Sequence, residues 1–68
     1  MKTPKDYGFT QTVTRNRWTS PQWTIHTEIR GDEMIVIFAE MANKKYQEYQ
    51  GDRNVVSWMR TKKIPIKK

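Results

Sequence analysis

Large apolar and polar side chains alternate through residues 23–30, with Trp23, Ile25 and Ile29 on one side and His26, Glu28 and Arg30 on the other. A period of two is the mark of a half-buried strand. The alternation breaks at Gly31-Asp32, a two-residue hairpin signal, and an apolar run from Met34 to Ala39 follows it. Folding back about those two residues sets Arg30 opposite Glu33, Ile29 opposite Met34, Thr27 opposite Val36 and Ile25 opposite Phe38, so the apolar faces coincide. The returning arm is apolar on both faces. Ile35 and Ile37 therefore need a cover on the side of His26 and Glu28, from the C-terminal part of the chain or from a second subunit.

Upstream, residues 9–18 are threonine-rich and β-prone and read as one further strand, closed by a turn at Thr19-Ser20-Pro21-Gln22. Residues 1–8 read as a polar leader punctuated by Pro4 and Gly8. Downstream, Ala42, Tyr46 and Tyr49 recur at helical spacing, and Gly51 sits where a helix ends, which predicts a short helix over 41–50. Asp52 is a candidate cap for a second helix from Arg53, with Val55, Val56 and Met59 on one face and Pro65 as its stop. The competing reading makes residues 54–60 a strand. The patterning thus predicts an α+β fold, a small three-stranded antiparallel β-meander with one or two short C-terminal helices. The alternative is an all-β sheet or small barrel of four or five strands.

Composition narrows what such a fold does. A chain of 68 residues fits a single small basic domain, fraying at about 1–6 and 64–68, and it buries only roughly 60% of the surface its unfolded form exposes. The sequence contains no cysteine and a single histidine, so disulfides and the usual zinc ligand sets are excluded and no cofactor is expected. No apolar run approaches the length of a membrane span and the N-terminus lacks the apolar stretch of a signal peptide, so the expectation is a cytoplasmic protein with no membrane partner.

The net charge of +6 is unevenly spread. Residues 24–52 hold Glu28, Asp32, Glu33, Glu40, Glu48 and Asp52, whereas residues 53–68 hold Arg53, Arg60, Lys62, Lys63, Lys67 and Lys68 with no acid. Arg15, Arg17 and Trp18 near the first turn, with Arg60, Lys62 and Lys63 near the end, are candidate contacts to DNA or RNA, since cations release counterions from phosphates and aromatic rings stack on bases. Any such surface is expected to lie away from the acidic turn. The chain carries no RRM aromatic signature, C2H2 finger, GXXG clamp or basic zipper, so this expectation rests on composition.

Two other constellations compete with it. Ile35 and Ile37, if left uncovered, would form a partner or homodimer interface, as in a regulatory or inhibitor module of the kind that phages and other mobile elements encode. The row His26, Glu28 and Arg30 could in principle supply a base, an acid and a cation for RNA cleavage, but the same alternation is what any solvated strand face shows. No glycine-rich phosphate loop, paired-carboxylate site or nucleophile elbow is present. A non-enzymatic binding module is the reading that follows.

Overall fold

The computed structural model describes residues 2–42 and 49–67. Five antiparallel strands lie in the order of the chain, β1 (Thr10–Gln11), β2 (Arg17–Thr19), β3 (Trp23–Arg30), β4 (Glu33–Met41) and β5 (Tyr49–Asn54), and one helix, α1 (Val55–Thr61), follows them. A 3₁₀ turn at Pro4–Tyr7 precedes the sheet. The α+β class holds, with five strands in place of three and one short C-terminal helix, within the one or two expected.

The β3–β4 hairpin turns at Gly31-Asp32 and pairs Arg30 with Glu33, Ile29 with Met34 and Thr27 with Val36. Gly31 has φ +64 while Asp32 stays out of the left-handed region, the pattern of a type II′ turn. Beyond that point the simple register fails. A bulge between His26 and Thr27 leaves Ile37 as the extra residue, so Ile25 pairs with Ala39 and His26 with Phe38. The physical reason lies in the core. The small Ala39, fully buried, takes the place that Phe38 would have filled, and the space goes to Trp23 and Trp58, whose rings meet edge-to-face at 5.3 Å. Phe38 turns to the opposite face and packs its ring against His26 at 5.0 Å.

The core lies on one side of the sheet, between Trp18, Trp23, Ile25, Val36 and Ala39 of the strands and Val55, Trp58 and Met59 of α1, and Tyr7 and Phe9 close one end. Asn54 caps the helix by accepting the Ser57 N–H at 2.8 Å, so the start falls at Val55 and Asp52 is not the cap. The helix stops at Thr61, short of Pro65, in a Schellman arrangement. Ile64 N–H donates to Met59 O at 2.9 Å, Lys63 N–H donates to Arg60 O at 3.1 Å, and Lys63 takes φ +58.

Three other expectations are corrected. The single strand over 9–18 is two short strands, β1 and β2, joined by a turn in which Thr12 Oγ1 accepts the Thr14 N–H and Arg17 N–H donates to Thr14 O. That turn shifts the alternation, so Trp18 faces the core while Val13 is fully exposed. Of the helix expected over 41–50, residues 43–48 with Tyr46 lie outside the described residues, while Met41, Tyr49 and Gln50 belong to strands and Gly51 sits within β5. Residues 1–8 are not a leader with little to bury. Pro4 and Tyr7 are buried, Thr3 N–H donates to the Asp6 carboxylate at 2.9 Å, and Lys67 N–H donates to Asp6 O at 2.9 Å, which joins the two ends of the chain.

Among the described residues no helix lies on the sheet's other face. Its cross-strand row Arg17, His26, Phe38 and Gln50 follows from the register, as does the pairing of Ile35 with Glu28 and Asn54. Arg30 on β3 bonds Glu28 at 2.8 Å and reaches Asp52 on β5 at 3.3 Å, so this ionic strap crosses β4 over the stretch that holds Ile35 and Ile37. Asn54 Nδ2 donates to Glu33 at 3.3 Å beside it. Ile35 is consequently only 6% exposed. The cover for Ile35 thus comes from the chain itself, from polar side chains of its own sheet, with Asp52 and Asn54 supplied by the C-terminal strand β5.

The outermost strand closes on itself. Tyr49 Oη accepts the Arg53 N–H at 3.2 Å, and its ring crosses Gly51 so closely that a Cβ there would meet the hydroxyl oxygen at 2.7 Å. Glycine is favoured at this position by contact with the Tyr49 ring, not by backbone angle.

Candidate nucleic-acid interface

Where α1 ends, the chain has to turn back across the top of the core. The Schellman turn does this at Lys62 and Lys63, and the extended segment beyond it runs beside the 3₁₀ turn, held by the Lys67–Asp6 main-chain bond. Gly8, at φ +88, makes room for that segment, because a Cβ on it would lie 2.9 Å from Lys67 Cγ. Between this segment and the Ser20–Gln22 turn lies a groove of about 300 Å³ whose walls include Phe9, Trp23, Ile64 and Pro21. Lys62, Lys63 and Lys67 border it.

Lys62 Nζ stands 5.3 Å from the centroid of the Trp23 ring, a cation–π contact that holds the ammonium over the groove floor. Trp23 is fixed in turn by Trp58 and by its N–H bond to Ser20 Oγ at 3.1 Å. The one carboxylate on the neighbouring 3₁₀ turn, Asp6, is committed to the Thr3 N–H. Arg60 borders the adjoining depression with Lys2, Tyr7 and Ile66. This end of the molecule is therefore cationic, with apolar walls between the charges.

The opposite face has the other sign. Glu28, Glu33, Glu40 and Asp52 belong to it by register, and Arg30 is drawn into bonds with two of them. The Arg30 pKa is raised, first by the hydrogen bond to Glu28, and then by its charge and by Asp52. His26 is packed on Phe38 and Glu28 is held by Arg30, so the row His26, Glu28 and Arg30 is engaged in ring packing and ion pairing.

The residues singled out from sequence separate into three places. Arg60, Lys62 and Lys63 gather about the C-terminal end of α1. Arg15 lies in the β1–β2 turn, and Arg17 pairs with His26 and so belongs to the far face of the sheet. Trp18 is 6% exposed and gives its indole N–H to Thr27 Oγ1 at 3.1 Å, so it is a core residue with no free ring face for a base. Ile37 is half-buried at the bulge beside Phe38, in a shallow depression that Asp52 and Gln50 also line. Lys67, read from the sequence as part of the basic tail and of a frayed end, is held at the groove, and the Trp23–Lys62 pair was not foreseen. No local pattern signals either, because Lys67 is placed by the tail returning past Gly8 and Lys62 by the packing of α1 against Trp23.

Among the described residues no group of three or more His, Cys, Asp or Glu is placed to hold a metal ion, and no helix is long and apolar enough to cross a membrane. Comparison with family models, curated proteins and solved structures finds no match to this chain.

Proposed function

We propose that this chain is a non-enzymatic nucleic-acid-binding module that meets phosphates with the C-terminal end of α1 and the segment beyond it. The observation that carries the reading is the convergence of Lys62, Lys63 and Lys67 on one groove while the sheet's carboxylates lie on the other face. A molecule polarised in this way approaches a polyanion by one end, and the captured cations displace counterions, so affinity depends strongly on salt. Arg15 and Arg17 are secondary in this arrangement, and Trp18 has no part in it.

The test is a gel shift on mixed DNA and RNA across a salt series. Retardation at about 50 mM salt that fades steeply as salt rises is expected. Lys62→Glu with Lys67→Glu should abolish it, and Arg15→Glu should leave most of it. Absence of retardation at the lowest salt removes the proposal. A second reading, a protein-binding module at the half-exposed Ile37 and Phe38, is favoured by their shallow depression on the face opposite α1. It requires binding that salt barely changes and that Ile37→Asp destroys.

A further inference from the structure

Lys63 occupies a backbone position that a lysine does not favour. Its φ of +58 is at the C′ site of the Schellman turn, where glycine is the usual residue because a side chain there is strained against its own backbone. The two main-chain bonds that close the turn, from Lys63 and Ile64, would form equally well with glycine. A strained residue with an exposed side chain points to a task for that side chain. That side chain borders the groove with Lys62 and Lys67.

The shape of the groove says what it takes. At about 300 Å³ it has room for a base or two and none for the width of a duplex. Pro21, Ile64 and Pro65 offer apolar wall surface, with only the edges of the buried Phe9 and Trp23 showing between them, and Lys62, Lys63 and Lys67 border it. An unstacked base needs the first and its flanking phosphates need the second. In a duplex the bases are stacked and paired, so only the rim is useful to it.

Resting on the proposed function above, we infer that the groove is a seat for single-stranded nucleic acid and that Lys63 is held in the left-handed conformation to deliver a phosphate contact there. The wild-type chain, Lys63→Gly and Lys63→Asn are titrated, by fluorescence anisotropy across a salt series, with a labelled oligothymidylate and with a duplex of equal length. Melting temperatures are measured in parallel. Three phosphate contacts on a single strand give a slope of log affinity against log salt of about −2, and loss of one reduces it by about 0.7.

The expected result has the single strand bound about tenfold more tightly than the duplex at low salt, with the wild-type slope near the value for three contacts. Both variants should melt no lower than wild type, bind the single strand more weakly and show the shallower slope. Equal or tighter duplex binding, or variants that bind as wild type does, overturns this inference and leaves the proposed function standing. Failure to bind either probe at the lowest salt removes both.

Discussion

Thr27 is the buried polar side chain of the sheet's core face, 2% exposed, and two groups depend on it. Trp18 Nε1–H donates to its hydroxyl at 3.1 Å, and the hydroxyl donates to Asn16 O at 3.4 Å. Thr27→Val keeps the shape, the branch at Cβ and the strand preference, and replaces the acceptor with a methyl group. The Asn16 carbonyl loses little, because its stronger bond, from Thr27 N–H at 2.8 Å, remains and the hydroxyl bond is long. The indole N–H loses its acceptor, and a buried donor left unpaired costs about 1–3 kcal/mol.

The core already contains one such group, since Trp58 Nε1 is buried without a hydrogen-bond partner among the described residues. A second would fall on a fold with little reserve. For a domain of this size about 1 kcal/mol corresponds to roughly 4–8 °C in melting temperature, so Thr27→Val should lower it by about 5–15 °C. The assay is thermal and urea unfolding followed by circular dichroism, completed as a double-mutant cycle with Trp18→Phe. In the Trp18→Phe background no N–H is left to strand, and Thr27→Val should be nearly neutral. If the substitution costs the same in both backgrounds, the buried hydrogen bond is not what Thr27 contributes and the reasoning fails.

Two further substitutions test local chemistry. Gly31→Ala has open space around the new methyl group but forces alanine into the first position of a II′ turn. It should destabilise by about 1–3 kcal/mol in urea titration, and a loss below a few tenths would rule out that turn type. Asn54→Ala removes the acceptor for Ser57 N–H and should cost about 1 kcal/mol, whereas Asn54→Ser keeps a capping acceptor without setting a second carboxylate beside Glu33 and should recover most of it. Equal losses for the two would show that the cap is not the source.

The parts of the fold legible in the sequence are those decided by neighbours along the chain. Gly31-Asp32 names its own turn, and the alternation on either side carries the pairing as far as Thr27 and Val36. The bulge at Ile37 is decided elsewhere, by two indoles that need the room Ala39 leaves, one of them arriving from the helix. The β1–β2 turn was hidden because threonine hydroxyls make it without glycine or proline, in residues that also suit a strand. In β5, Gly51 and Asp52 look like a helix end and a cap, yet glycine is there for the Tyr49 ring and the cap lies two residues on, at Asn54. The Thr3-Pro-Lys-Asp6 start was readable as a helical opening, with proline at the first position and a carboxylate reaching back. Of the candidate site, the lysines after α1 were visible as charge, but their convergence depends on Lys67 returning to Gly8.

The ring of Tyr49 laid along the outermost strand governs how these molecules behave in company. An open sheet has two free borders, and a bare border recruits further strands from other copies. Here one border is only two residues long, and the other has a main-chain donor occupied by its own tyrosine, an irregular register, and the charges of Asp52 and Arg53. A basic protein drawn onto a polyanion is concentrated far above its bulk level. For copies brought side by side in this way, as the proposed function requires, such borders disfavour strand pairing from one molecule to the next, and Gly51, by admitting the ring, helps to keep one of them closed.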